Sequence, residues 1–127
     1  MKTKESEPKA KLCETLRKVF PSWEIFRHED IFTHGIPDIS ATGNKKTTWI
    51  EVKMGPGFKS KGIQEFKLQR LAHAGHAWYV VFWEDKKGRM TYIVAPHLIG
   101  KDRSEWQDSA EGFNYDFIIQ FLKKVHK

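Results

Sequence analysis

The sequence predicts one mixed α/β domain built around a central sheet. Three observations lead to this fold class: apolar residues at helical spacing near both ends, a continuous apolar run at 77–83, and two strand-like segments joined by a short polar turn. The chain has 127 residues, a length that suits one domain. No repeat or linker divides it, so we expect a single domain over residues 1–127.

The helices are predicted from apolar periodicity and from residues that stop a helix. The first helix has one apolar face, formed by Leu12, Leu16, Val19 and Phe20. Pro21 ends that helix, and Gly75 ends a second one predicted over residues 63–74. The amphipathic segment Tyr115–Val125 predicts a third.

The strands are predicted from alternation and from β-branched and aromatic residues. They cover residues 23–27, 36–42, 47–53, 77–83 and 90–94. Residues 43–46 form a turn that makes a hairpin of the second and third strands, and the glycine-rich segment 54–62 is a loop. The run at 77–83 is apolar throughout, which is typical of a strand buried on both faces.

Composition favours a polyanion partner and excludes several other classes. The formal net charge is +6, and residues 53–70 hold five basic side chains against one acidic side chain. The single cysteine, Cys13, excludes an intrachain disulfide and a zinc site of several thiolates. No apolar run approaches membrane-spanning length, and the charged first residues do not resemble a signal peptide. We therefore expect an intracellular protein with no membrane partner, in a bacterial cytoplasm or a phage-infected host cell.

A small set of charged residues on the predicted hairpin carries the chemistry. Alternation places Glu51 and Lys53 on one strand face and Val52 on the other. Asp38 follows Pro37 at the start of the partner strand, where we expect the two strands to diverge. The two carboxylates can then converge on one point, and a divalent cation such as Mg²⁺ relieves their repulsion. Lys53 would add positive charge beside a phosphate, so this set suits phosphodiester hydrolysis.

The same residues resemble a known nuclease motif. Pro37-Asp38 followed by Glu51-Val52-Lys53 resembles the PD-(D/E)XK nuclease superfamily. Gln64, with Leu71 seven and Gly75 eleven residues later, resembles the helix that follows the catalytic strand in the VRR-NUC branch, and the resemblance covers roughly residues 5–82. It implies a restriction-endonuclease-like fold with a mixed sheet flanked by helices in the order α-β-β-β-α-β-β-α.

The resemblance also implies roles for individual residues. Asp38, Glu51 and the carbonyl of Val52 would bind Mg²⁺ or Mn²⁺, Lys53 would be the catalytic lysine, and Gln64 would orient water or substrate. The family often adds an acid on the first helix, for which Glu5 fits better than Glu14. Glu5 shares the inward face of Leu12 and Leu16, whereas Glu14 lies opposite them. No organic cofactor is expected.

Residues that contact the DNA are predicted around this site. Lys59 and Lys61 lie in the glycine-rich loop beside it and are expected to contact the backbone. His34, in a polar loop before Asp38, and Lys67 and Arg70, on the following predicted helix, are further candidates.

The predicted function is metal-dependent hydrolysis of DNA, with a preference for branched DNA such as four-way (Holliday) junctions. That preference comes from the resemblance to small stand-alone members. Symmetric cutting of a junction needs two sites, so we expect a homodimer. Three alternatives stay open: a monomeric nickase or flap nuclease, a non-catalytic nucleic-acid-binding module with this fold, and a small basic structural protein.

Overall fold

The computed structural model describes residues 5–28, 37–58 and 76–127 of the chain. Besides two short 3₁₀ helices at Pro96–Leu98 and Arg103–Glu105, two α-helices and six strands form within these ranges. They are α1 (Ser6–Val19), β1 (Glu24–Arg27), β2 (Ile39–Gly43), β3 (Lys46–Gly55), β4 (His76–Asp85), β5 (Gly88–Val94), β6 (Asp108–Glu111) and α2 (Tyr115–Val125). In these parts of the chain no helix is both long and apolar enough to cross a membrane.

The six strands make one mixed sheet in the order in which they occur along the chain. Strands β3 and β4 are parallel, with Glu51 beside Tyr79 and Lys53 beside Val81. All other neighbouring pairs are antiparallel. A parallel pair needs a long crossover between its strands. Residues 56–75 connect β3 to β4, and the helix predicted at 63–74 falls outside the described residues.

The β2–β3 hairpin turns more tightly than predicted. Gly43 pairs with Lys46, which leaves only Asn44 and Lys45 in the turn. Both have a positive φ, 53° and 65°, the conformation that matches a two-residue turn to the twist of the strands. Asparagine adopts it readily, whereas lysine does so at a small cost.

The sheet has an apolar core on each face, as alternation along β3 predicts. Ile50 and Val52 pack toward α1 and α2, with Leu12, Leu16, Ile118 and Leu122 from the helices. Trp49 lies against the opposite cluster, which includes Tyr79, Val81, Tyr92 and Trp106. Strand β4 contributes buried residues to both clusters, so the prediction of a strand buried on both faces is confirmed.

Two predicted strand bounds were wrong, and one strand was missed. Residues 37 and 38 were assigned to the second strand, but β2 begins at Ile39, because the Asp38 N–H donates to the Glu51 side chain instead of to the ladder. β3 continues through Met54 to Gly55, which were assigned to the loop, because β4 pairs with these residues and extends the ladder. Strand β6 was not predicted: its sequence Asp-Ser-Ala-Glu has no apolar alternation, and its formation depends on pairing with β5.

The C-terminus is held against the hairpin by a buried histidine. His126, which follows α2, is fully buried and stacks on Trp23 at 4.4 Å between ring centroids. Its Nδ1 lies 2.9 Å from the Gly43 carbonyl oxygen, and its Nε2 lies 2.7 Å from the Thr48 hydroxyl oxygen. A carbonyl can only accept, so Nδ1 donates to Gly43 and Nε2 of the neutral ring accepts from Thr48.

We predict that His126→Ala lowers the free energy of unfolding by about 2–4 kcal/mol at pH 7.5, because it opens a cavity and leaves buried polar groups unpaired. Burial lowers the pKa of His126 from its usual 6.5. The wild-type protein therefore loses this stabilisation as the pH falls below about 6.5. The free energies of unfolding of wild type and His126→Ala then become more similar. Urea unfolding at pH 7.5 and pH 5 measures both effects.

The matched control is His97→Ala, at an exposed position, which should change stability by less than about 0.5 kcal/mol. A difference between wild type and His126→Ala that stays constant with pH would contradict a neutral, buried imidazole.

Candidate active site

The candidate site forms where β2 and β3 separate. Their ladder runs from Gly43 beside Lys46 to Ile39 beside Ile50, and β3 continues for five residues past that last pair. Asp38 immediately precedes the ladder, as the sequence predicts, and its Oδ2 accepts a hydrogen bond from the Val52 backbone N–H at 2.8 Å. The carboxylate thereby serves as an acceptor for β3 just before Ile39, the first residue of β2.

A second hydrogen bond runs in the opposite direction and fixes Glu51. The Asp38 backbone N–H donates to Oε1 of Glu51 at 3.1 Å. The Asp38 carbonyl in turn accepts from the backbone N–H of His28 at 2.7 Å, which ties this segment to the end of β1. Both carboxylates are therefore positioned by backbone groups of the sheet.

Glu51 carries a charge that is costly in this position. Its side chain is buried, with 2% of the residue exposed, and Oε2 lies 3.4 Å from Nζ of Lys53. Burial, and then the negative charge of Asp38, raise the pKa of Glu51 to about 7, and Lys53 opposes that rise. A cation placed between the two carboxylates would favour the charged form of Glu51.

The N-terminus of α1 brings another acid and a lysine to this site. Glu5 lies at the N-cap position in helical conformation, and its carbonyl accepts from the backbone N–H of Lys9 at 3.3 Å. Nζ of Lys9 lies 2.9 Å from Oδ1 of Asp38 and 3.5 Å from Oε1 of Glu5. Glu14 is exposed and pairs with Lys18, as its predicted outward direction requires. Of the two acids weighed for this helix, Glu5 is the one at the site.

Lys9 was missed by sequence reasoning. Its signals were the spacing of four residues from Glu5 and a position three residues before Leu12 on the inward helix face. Burial opposes the charge of Lys9, but the hydrogen bonds and charges of Asp38 and Glu5 together outweigh burial and raise the pKa of Lys9. The lysine is thus held as a cation beside Asp38.

Several predicted residues fall outside the described ranges. They are Gln64, Lys59, Lys61, His34, Lys67 and Arg70. Their roles stay predictions, as do those of Asp38, Glu51, Lys53, the Val52 carbonyl and Glu5, although the structure brings these five residues to one place.

The available ligands suit a magnesium-like ion more than zinc. Among residues 5–28, 37–58 and 76–127, no group of three or more His, Cys, Asp or Glu side chains is arranged to hold a metal. Mg²⁺, however, binds proteins through one or two carboxylates and takes its other ligands from water and phosphates. The adjacent carboxylates of Asp38 and Glu51 fit that requirement.

Comparisons with known proteins establish the fold. No family model matches the chain, and no curated protein matches its sequence. Among solved structures, it is similar to Hjc, a Holliday junction resolvase from the archaeal hyperthermophile Archaeoglobus fulgidus. The TM-score is 0.54 at 15% sequence identity, over 87% of this chain and 91% of the resolvase. The fold is restriction-endonuclease-like. This confirms the predicted fold class.

We predict that Glu51→Gln stabilises the metal-free protein at high pH. Between pH 4.5, the ordinary pKa of Glu51, and about pH 7, its raised pKa, Glu51 is protonated in the folded protein and ionised in the unfolded chain. The free energy of unfolding of the wild type therefore falls as the pH rises through this range. The variant has no ionisable group at this position and does not lose stability in this way. In chelator, its free energy of unfolding should exceed that of wild type by roughly 1–3 kcal/mol at pH 8.

Urea unfolding at pH 5 and pH 8 measures this, and the gain should be much smaller at pH 5. Glu24→Gln, at an exposed site on β1, is the control and should change stability by less than about 0.5 kcal/mol at either pH. A Glu51→Gln variant less stable than wild type at pH 8 would show that the charged carboxylate is favourable where it lies.

Proposed function

We propose that this protein is a metal-dependent endonuclease that hydrolyses DNA phosphodiester bonds and selects branched DNA. The observation that carries the proposal is the reciprocal bonding of Asp38 with β3, which sets two carboxylates and Lys53 side by side on a restriction-endonuclease-like sheet. A buried carboxylate with a strongly raised pKa, next to a second carboxylate, is typical of a functional site.

Each residue has a definite task in this proposal. Asp38 and Glu51, with the carbonyl of Val52, would hold Mg²⁺ or Mn²⁺. The ion, when bound, activates a water molecule and stabilises charge on the phosphate. Lys53, whose side chain is largely buried beside Glu51, presents a fixed ammonium toward charge that develops on the phosphate. Gln64 would orient the water or the substrate.

The raised pKa of Glu51 makes metal binding depend on pH. With a pKa of about 7, Glu51 is partly protonated near neutral pH when no metal is bound. Metal binding must release that proton, so the metal affinity of the site should increase with pH through this range.

The fold and the charge support DNA as the substrate. The similar resolvase acts on Holliday junctions, and this chain carries a net charge of +6. Backbone contacts are assigned to Lys59, Lys61, His34, Lys67 and Arg70 from the sequence. A homodimer would supply the two sites that paired cutting of a junction needs. We place the protein inside the cell, where its substrate is found.

The nuclease proposal is tested with labelled linear, flapped and four-way-junction DNA in Mg²⁺, in Mn²⁺ and in chelator. We expect junction cutting that needs metal, that Asp38→Asn abolishes, and that Lys53→Ala slows by about 10²–10³-fold, the loss typical when one charge-stabilising group is removed. Asp108→Asn makes the same chemical change at an exposed position on β6 and should cut like wild type.

The products decide between the candidate activities. Paired symmetric cuts confined to junctions support a resolvase, and cuts confined to flaps or single nicks support the monomeric alternative. DNA binding without cutting in either metal would contradict the enzyme and favour a non-catalytic module.

A further inference from the structure

The ammonium of Lys9 lies where a cation is expected beside Asp38. It is 2.9 Å from Oδ1 of Asp38 and 3.5 Å from Oε1 of Glu5, so it bridges two carboxylates that are 33 residues apart in sequence. Only 17% of its side chain is exposed. A lysine held this closely between two acids has lost most of the freedom of a surface lysine.

A second Glu–Lys pair on the same helix, with the same spacing, serves as a comparison. Lys18 pairs with Glu14 at the same spacing of four residues and at 3.2 Å, yet the two side chains are 75% and 68% exposed. Such exposed pairs contribute little to stability. Lys9 differs because it has a second partner, Asp38, from the segment that leads into β2, and because the site is partly buried.

The hydrogen-bond partners of Asp38 and Glu51 show which contact a bound cation could displace. Oδ2 of Asp38 is bound by the backbone N–H of Val52 in β3, and Oε1 of Glu51 by the backbone N–H of Asp38 next to β2, so both partners are main-chain groups. Oε2 of Glu51 has Lys53 beside it on the same strand. Oδ1 of Asp38 is bound by Lys9, at the end of a flexible side chain on a different element.

A metal ion and this ammonium would compete for the same oxygen. The ammonium is 2.9 Å from Oδ1, and Mg²⁺ binds oxygen at about 2.1 Å, so both cations on Oδ1 would stand within about 5 Å of each other. At that separation in a partly buried site, their repulsion is substantial. Without a metal, the same ammonium offsets part of the charge of the two carboxylates that it contacts, Asp38 and Glu5.

We propose that Lys9 is an internal counter-ion of the metal site: it occupies the cation position beside Asp38 in the metal-free protein and leaves it when a divalent ion binds. The inference rests on the metal site in the proposed function and adds a positioning residue to it. Lys9 holds Asp38 in its binding orientation before metal arrives, and lowers the metal affinity because the ion must displace it.

Chemical labelling of the wild-type protein tests the displacement directly. The protein is treated with a limiting amount of an amine-acetylating reagent, with and without Mn²⁺ alone, and each lysine is quantified by mass spectrometry. We expect acetylation of Lys9 to be slow without metal and to accelerate severalfold with Mn²⁺, while Lys18 reacts equally in both. In Asp38→Asn, Lys9 should react quickly without metal and show no response to Mn²⁺.

Calorimetric titration with Mn²⁺ tests the competition. We expect Lys9→Met to bind Mn²⁺ roughly tenfold more tightly than wild type, the change in affinity that about 1.4 kcal/mol produces. Lys18→Met removes the same charge from the exposed pair and should match wild type. Labelling needs no substitution at Lys9, so it decides the matter even if Lys9→Met folds poorly.

The outcomes separate this inference from the nuclease proposal. If Mn²⁺ binds wild type and Asp38→Asn abolishes the binding, the metal site stands. Lys9 that stays protected with Mn²⁺ bound, or Lys9→Met that binds Mn²⁺ no more tightly than wild type, would then overturn the counter-ion role alone. If neither wild type nor Lys9→Met binds Mn²⁺, the counter-ion role and the metal dependence fail together.

Discussion

The candidate site depends on the carboxylate of Asp38, which accepts a backbone hydrogen bond from β3 where no strand residue of β2 is paired with it. Immediately before β2 begins, Asp38 accepts a hydrogen bond from Val52 and its own backbone donates to Glu51. Because both bonds join a side chain to the backbone of the neighbouring element, they fix the separation and direction of the two acids together. The parallel pairing of β3 with β4 holds the other side of the same segment, so Glu51 lies on a strand that is paired on its other edge, and Asp38 is bonded to that strand. The proposed metal site would need this support, because a metal and a phosphate would have to be placed to within a fraction of an ångström.

Placing these two carboxylates next to each other has an electrostatic cost. Glu51 is buried beside a second acid, and its pKa is raised to about 7 as a result. Lys53 on the same strand opposes the rise in the pKa of Glu51, and Lys9 from α1 pairs with the second acid, Asp38. The position of Lys9 depends in turn on how α1 packs: Leu12 and Leu16 bury its inner face, and Arg17 donates to the Ile25 carbonyl at 3.1 Å. Packing of an apolar helix face thus delivers a cation to the site.

Much of the fold could be predicted because the local sequence and the final structure agree. Helix α2 has the predicted bounds, since its amphipathic period is unbroken from Tyr115 to Val125 and Asn114 caps it through the Phe117 N–H. The directions of Val52 and Glu51 follow from strand alternation alone. Strand β6 and the extension of β3 could not be predicted, because their own residues do not favour a strand. Their pairing partners, β5 and β4, come from elsewhere in the chain.

The sequence by itself determined which residue types stand at the candidate site and that Glu51 and Lys53 share a strand face, since both follow from order along the chain. Only the tertiary structure decided that Asp38 completes the hydrogen bonding of β3, that Glu5 is the acid of α1 beside it, and that Lys9 binds Asp38. The contacts of Asp38 with Val52 and with Lys9 join residues 14 and 29 apart in the sequence. The distance between such segments is set by the packing of α1 on the sheet and by the end of the β2–β3 ladder, and neither is encoded in a local pattern.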